Sequence, residues 1–241
     1  MRVIAVIPAR LESARLPRKM LRQIAGKTLL ARVYEGVRSS PLLHDVIVAT
    51  DSEEIMQLCL QHGWNARMTS PTHRSGTERV REISDSAAAD FYLNVQGDEP
   101  LTRAEHIAAL IDLMKDPQVQ VGTLKTPASD EDIANPNAVK VVTDSTGRAL
   151  YFSRATIPFD RDGSRPSYFK HLGFYAYRKP VLDRFCTLPE SSLEISERLE
   201  QLRFLENGIP IQVGEIPYDT VGVDTEEDLR RVEAIFQQRE T

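Results

Sequence analysis

Four cations crowd ten residues near the start of the chain: Arg10, Arg15, Arg18 and Lys19. Like charges this close repel one another unless an anion sits among them, and a triphosphate fits that need. Arginine forks two hydrogen bonds onto phosphate oxygens, whereas lysine acts as a compact point charge. A solvated charged loop explains the cations alone equally well. The loop is neither a GxxxxGK[ST] phosphate cradle nor a glycine-rich dinucleotide fingerprint. A second group is Gln96-Gly97-Asp98-Glu99-Pro100. An acid just past a strand end is placed to hold a divalent metal near phosphates, although Gly and Asp also make ordinary polar turns. Asp224 recurs in a similar setting far along the chain. Two carboxylates plus triphosphate oxygens make a reasonable Mg²⁺ site. Ser75-Gly76-Thr77-Glu78-Arg79 opens a helix, where glycine lets backbone approach a ligand. The same spacing, Ser75 to Glu78, predicts a capping box.

These groups need elements to hold them. Val3 to Pro8 is a short β-branched run, which predicts a buried parallel strand opening into the basic loop, where an open α/β sheet binds phosphate-bearing ligands. Leu29, Leu30, Val33 and Val37 repeat at helical spacing. Val46 to Thr50 is a second strand. Ser52-Glu53-Glu54 starts a helix with Ile55, Leu58 and Cys59 inward, stopped by Gly63. Ala66 to Thr69 and Phe91 to Val95 are strands, separated by a helix from Gly76 to Ser84. A helix follows over Ala104 to Met114. This alternation predicts a mostly parallel sheet with helices on both faces. The pattern then changes. Val119 to Leu124, Ala138 to Thr143, Ala149 to Ser153 and Leu172 to Arg178 read as strands, with a hairpin turn at Asp144 to Gly147. Val181 to Thr187 and Leu193 to Asn207 read as helices, with Gly208 as a stop. Ile211 to Val213 is a late strand, and Thr225 caps a final helix through Phe236. The reading is one domain over 1–241. Residues 1–120 form a nucleotide-binding part, about 121–215 an antiparallel elaboration, and 216–241 a returning segment.

Composition excludes several classes. The net charge of −5 argues against a general nucleic-acid binder, so any phosphate site must be a local cluster. Two cysteines, Cys59 and Cys186, fit a reducing cytoplasm and exclude a disulfide framework or cysteine-rich zinc site. The chain enters strand pattern at once, without a signal region, and no apolar run reaches the length of a membrane span.

Taken in register, the motifs resemble the 3-deoxy-manno-octulosonate cytidylyltransferase (CMP-Kdo synthetase) family from residue 3 to about 235. They include Ile7-Pro8-Ala9-Arg10, Arg15-Leu16-Pro17, Lys19, Val48-Ala49-Thr50-Asp51, Ser75-Gly76-Thr77-Glu78-Arg79, Asn94-Val95-Gln96-Gly97-Asp98-Glu99-Pro100, Asn135-Pro136-Asn137-Ala138-Val139-Lys140, Tyr151-Phe152-Ser153-Arg154, His171-Leu172-Gly173, Leu199-Glu200-Gln201-Leu202-Arg203 and Gly222-Val223-Asp224-Thr225. The chain departs from the family at Arg18, where a small residue is usual, and at Leu11-Glu12. The resemblance implies a Rossmann-like nucleotidyltransferase fold and a cytoplasmic homodimer, its elaboration serving dimerisation and sugar binding. It implies the reaction CTP + Kdo → CMP-Kdo + diphosphate with Mg²⁺, serving lipopolysaccharide synthesis. It places Arg10, Ser13, Arg15 and Lys19 on the triphosphate side, Ala9, Ser75 and Thr77 around the cytidine, and Asp98 and Asp224 on Mg²⁺. Lys19, Asp98 and Arg10 become the catalytic residues. Gln96, Arg154, His171, Tyr175, Glu200 and Gln201 face the eight-carbon keto sugar acid, with the arginine fork suited to its carboxylate. A lone strand histidine is otherwise more often a packed core residue, and the leucines around Glu200 and Gln201 are explained by packing. The polar loop 160–168 reads as a cover for the site or a dimer edge. A related synthetase acting on 8-amino-Kdo or a sialic acid is the alternative, and a non-catalytic nucleotide-binding protein a further one.

Overall fold

A computed structural model describes residues 1–13 and 15–240, which form two compact units, 1–108 with the chain from 220 onward, and 109–219. The first unit contains β1 (Val3–Ala9), a 3₁₀ turn (Lys19–Leu21), β2 (Gln23–Ile24), β3 (Lys27–Thr28), α1 (Leu29–Arg38), β4 (Asp45–Thr50), α2 (Glu53–Gln61), β5 (Ala66–Met68), α3 (Gly76–Ser86) and β6 (Phe91–Asn94). In sequence, α4 (Ala104–Leu113) runs from the first unit into the second. The second holds β7 (Val121–Pro127), α5 (Asp130–Ala134), β8 (Lys140–Thr143), β9 (Ala149–Ser153), β10 (Phe169–Tyr177), α6 (Lys179–Thr187), α7 (Ser192–Glu197), α8 (Gln201–Glu206) and β11 (Ile211–Glu215). The chain ends in α9 (Glu226–Glu240). No helix among the described residues is long and apolar enough to cross a membrane.

In the first unit β1 pairs in parallel with β4 on one side and β6 on the other, and β5 extends the sheet beyond β4. Ile4, Ala5, Val6 and Ile7 are all buried, as a central parallel strand covered on both faces requires. Thr28 caps α1 by accepting the Ala31 N–H, and Leu29, Leu30, Val33 and Val37 turn inward. Ser52 caps α2, and Gly63 ends it in the left-handed region. Leu16, from the basic loop, joins Ile24, Leu29, Leu101, Val223, Leu229 and Val232 in one apolar cluster. Burying a leucine is worth about 2 kcal/mol, which offsets part of the entropy lost in ordering that loop.

In the second unit β10 pairs antiparallel with β7 and with β8, and β8 with β9 across the expected Asp144–Gly147 turn. The Asp144 carboxylate accepts the Thr146 and Arg148 N–H groups, and Gly147 takes the positive φ. The elaboration is antiparallel except for β11, which runs parallel to β7. The loop 160–168 curls around Asp160, whose carboxylate accepts the Ser164 and Arg165 N–H groups. One helix expected over Leu193 to Asn207 is two, α7 and α8. Arg198, at φ 55, caps α7 in the left-handed conformation and breaks the run. Leu193, whose spacing to Leu199 and Leu202 predicts a packed position, is exposed. Neither α5 nor the β2–β3 pair is anticipated by apolar periodicity, because both are too short to show one.

Candidate active site

Within the first unit, a cleft of ≈ 390 Å³ opens at the C-terminal ends of β1 and β6, a volume ordinary for small-molecule sites. Ala9 ends β1, and Arg10, Ser13, Arg15 and Lys19 follow it around the rim. Ser75 and Gly76 bring in the N-terminus of α3, and Gln96 and Asp98 the exit of β6. Two close approaches shape this end. A Cβ on Gly97 would lie 2.7 Å from the Pro8 carbonyl oxygen, and one on Gly76 3.3 Å from Pro8 Cγ. Only glycine lets the Gln96–Asp98 turn fold so tightly over β1. The Val223 N–H donates to the Asp98 carbonyl (2.9 Å), which draws Asp224 to the same place.

Lys19 is the centre of the cleft's electrostatics. Leu16 is pinned in the apolar cluster, and Arg18, at φ 55, turns the chain into the 3₁₀ turn that aims Lys19 inward. The ammonium donates to Asp98 Oδ2 (2.7 Å) and Asp224 Oδ1 (2.9 Å). Burial pulls the lysine pKa down, but Asp98 and then Asp224 outweigh it, so the pKa ends above its usual value and the charge is held. Arg15 takes the other Asp224 oxygen at 2.8 Å. Arg18 pairs with Glu54. Arg10 lines the cleft and makes no ion pair among the described residues. The mutual repulsion expected of the four cations is therefore answered largely by the chain's own carboxylates. No group of three or more His, Cys, Asp or Glu side chains converges among the described residues. Two carboxylates do converge on one cation, Lys19, and two is the usual protein share of a Mg²⁺ site whose other ligands are phosphates and water.

Ser75 caps α3, accepting the Glu78 N–H at 3.3 Å. The expected reciprocal bond goes instead to the Arg74 N–H, 2.7 Å from Glu78 Oε2, so the box closes one residue early. Thr77 is fully buried and does not line the cleft. Gln96 does, beside Asp98. His73, Arg74 and Arg79 line it too; of these only Arg79 stands in a motif read from sequence, without an assigned role. Arg79 is tied to Asp51 and to Thr69 Oγ1. The signal for all three was their place in or beside the capped turn at Ser75.

The other candidates lie in the second unit. A break in register between Leu172 and Tyr175 brings His171 and Tyr175 to the same threonine of β7. Thr123 Oγ1 lies 2.9 Å from His171 Nε2, and Tyr175 stands opposite Thr123 in the ladder. Residue 171 as a whole keeps some surface, but protein encloses its ring, with Phe152 edge-on at 4.9 Å and Tyr175 at 5.4 Å. That burial pushes the histidine pKa down to about 3, so the imidazole is neutral. Among the described residues the buried Tyr175 hydroxyl finds no hydrogen bond of good geometry. Burial first, then Tyr177 and Glu200, hold its pKa well above the usual tyrosine value. Glu200 and Gln201 open α8, with Gln201 buried. Arg154 follows β9 and is gripped by main-chain oxygens of 136, 197 and 198.

Comparison with known proteins gives the family. Residues 4–213 match the model of the cytidylyltransferase family. The 3-deoxy-manno-octulosonate cytidylyltransferase of Koribacter versatilis is 68% identical over 99% of this chain and 91% of its own length. That of Acidobacterium capsulatum is 57% identical over 98% and 97%. A CMP:2-keto-3-deoxy-manno-octonic acid synthetase solved in complex with CTP superposes with a TM-score of 0.95 at 41% identity, covering 99% of this chain and all of its own. A 4-diphosphocytidyl-2C-methyl-D-erythritol synthase from Anaerococcus prevotii, 16% identical with a TM-score of 0.65 over 98% and 96%, shares the fold alone. Matches of this extent cover nearly the whole chain, and it belongs to the 3-deoxy-manno-octulosonate cytidylyltransferase family.

Proposed function

We propose that the chain transfers the cytidylyl group of CTP to 3-deoxy-D-manno-octulosonate (Kdo), giving CMP-Kdo and diphosphate. The observation that carries this reading is the meeting of Arg10, Arg15 and Lys19 with Asp98 and Asp224 around one cleft, in a chain 68% identical to a protein named for that reaction. The anomeric hydroxyl attacks the α-phosphorus in line. The new O–P bond forms as the bond to the β-phosphate oxygen breaks, diphosphate leaves with the electron pair, and the hydroxyl proton passes to solvent. Positioning and charge stabilisation supply most of the rate. Arg10, Arg15 and Lys19 hold the triphosphate and balance charge on the leaving diphosphate, with Ser13 beside them. Ala9, Ser75 and the first turn of α3 frame the cytidine. Asp98 and Asp224 would hold Mg²⁺, for which their converging hard oxygens are suited. When bound, the metal supplies positive charge at phosphorus and lowers the pKa of the attacking hydroxyl. In the second unit Arg154, His171, Tyr175, Glu200 and Gln201 recognise the sugar acid, Arg154 binding the acid's carboxylate. His171, neutral at physiological pH, serves as a hydrogen-bonding group and not as a general base.

We further propose a cytoplasmic homodimer whose product feeds lipopolysaccharide synthesis. Phe159, Leu150 and Ile195 in the second unit are exposed apolar side chains, the kind of surface a partner copy covers. Light scattering at twice the monomer mass is the expected result. The activity test is diphosphate release with Mg²⁺, each of four ribonucleoside triphosphates, and Kdo beside its 8-amino analogue and a sialic acid. Release with CTP and Kdo alone is expected. Release with CTP and only another acid would move the substrate, and no release with any pair would leave a nucleotide-binding protein.

A further inference from the structure

We propose that Lys140 and Glu197 are positioning residues for Arg154, together fixing its guanidinium so that two N–H groups stay available to a carboxylate. The inference rests on the assignment of Arg154 to the sugar acid and goes beyond it to two residues that act through Arg154.

Lys140 is fully buried, an unusual place for an ammonium. Its Nζ donates to three main-chain oxygens: Asn135 (2.8 Å), Ala138 (2.7 Å) and Arg154 (2.9 Å). All three of its donors are thus matched, which is what makes the burial tolerable. The choice of acceptors is informative. Asn135 and Ala138 bracket Pro136, and the Pro136 oxygen accepts from Arg154 Nη1 at 3.1 Å. One ammonium therefore fixes both the arginine's own main chain and the loop that holds its guanidinium.

Glu197 works from the other side. Its carboxylate accepts from Ser153 Oγ (2.6 Å) and from the Arg154 N–H (2.9 Å), while its main-chain oxygen accepts from Arg154 Nε (2.7 Å). The carboxylate next to this arginine is thus occupied by neutral donors. Arg198 O lies 3.5 Å from Nη2. Three of five guanidinium N–H groups face carbonyls, and no carboxylate pairs with it among the described residues. Arg203, in the same unit, shows the ordinary structural alternative, with Nε and Nη2 on the two oxygens of Glu194 at 2.7 and 2.5 Å. An arginine oriented by neutral acceptors keeps its charge for an incoming anion.

The test measures diphosphate release by the full-length protein with Mg²⁺ and saturating CTP, varying Kdo and its methyl ester, in which the carboxylate is masked. In the unaltered chain the acid is the better substrate, and Arg154→Ala erases that preference. Lys140→Met and Glu197→Gln each raise KM for the acid by about five- to tenfold, leave KM for CTP unchanged and shrink the preference for acid over ester. A role confined to holding the turn would lower the melting temperature and leave that preference intact. If Arg154→Ala erases the preference while both other variants keep it, the proposal is overturned and the assignment of Arg154 stands. If Arg154→Ala also keeps it, that assignment falls and the proposal with it. Should Lys140→Met not fold, Glu197→Gln decides by the same ratio, and an unchanged ratio overturns the proposal.

Discussion

Two cationic sites in this molecule are built in opposite ways. In the first unit Lys19 and Arg15 sit directly on Asp98 and Asp224, so the cleft carries its own counter-charge. In the second unit the Arg154 guanidinium is gripped by carbonyls, and the neighbouring Glu197 carboxylate is engaged by Ser153 and the Arg154 main chain. On the proposed function, a triphosphate entering the first site would compete with carboxylates for the cations, and those carboxylates would then be free for a divalent metal. A carboxylate arriving at Arg154 displaces no anion. On that proposal the first design would couple nucleotide and metal, because each would release the other's ligands. The second is preorganised for one functional group.

The largest predicted effect breaks the first design. Lys19→Met and Asp98→Asn should each lower kcat/KM for CTP about 100- to 1,000-fold, the size expected for removing one transition-state charge contact. If the two residues act as one unit, the double variant loses little more than either single one. Additive losses in steady-state diphosphate release would separate them, and near-normal turnover by Asp98→Asn would remove Asp98 from a metal-assisted step. Gly97→Ala comes next. Its Cβ would lie 2.7 Å from the Pro8 oxygen and 3.0 Å from Met20 Sδ, so the turn bearing Asp98 must shift. A stability loss of about 1–3 kcal/mol is expected by urea denaturation. The comparison adds that the preference for acid over ester, a property of Arg154, should survive this substitution.

How much of this was legible in the sequence follows the length scale of the signal. The run Ile4–Ile7 announced a buried parallel strand, and Ser52, Ser75 and Thr225 announced helix starts, because periodicity and caps are local. The cation loop and Asp98 were visible as types, and the pairing of Lys19 with both aspartates was not, because it depends on a Val223–Asp98 backbone bond between residues about half the chain apart. Arg198 broke a helix that the leucine spacing made continuous, since arginine carries no mark of a left-handed cap. His73 and Arg74 fell in a loop that showed only polar character. Lys140 and Glu197 were unreadable as partners of Arg154, because the acceptors are main-chain oxygens, and every residue has one.

A smaller effect concerns pH in the second unit. Folding pushes the His171 pKa down to about 3 from 6.5, through burial. Between those values the unfolded chain binds a proton that the native one does not, so this contribution is complete above pH 6.5 and is lost as pH falls toward 3. One proton sets a limit of about 1.4 kcal/mol per pH unit. Urea midpoints between pH 6.5 and 5 should therefore fall more steeply for the unaltered chain than for His171→Gln. Equal slopes would mean the imidazole is hydrated in solution, and the second site less dry than its packing implies.

The smallest effect is predicted at Arg18, and it sharpens the contrast by showing which cation the cleft does not use. Arg18 stands at φ 55, ψ 34, where a side chain costs about 1 kcal/mol and glycine costs nothing sterically. Its partner Glu54 is half exposed, as Arg18 itself is, and an ion pair of that kind returns about 0–1 kcal/mol. Glycine relieves the strain and loses the pair, while adding backbone freedom to the unfolded chain. The three terms nearly cancel, so Arg18→Gly should shift stability by less than about 0.5 kcal/mol. Kinetics carry the weight of the test. Arg18 does not line the cleft, so KM for CTP should hold within about twofold, whereas Arg15→Ala, which removes a cation from Asp224, should raise it about tenfold. A rise at Arg18 equal to that at Arg15 would place the triphosphate along the outer face of the loop and away from the Lys19 carboxylates.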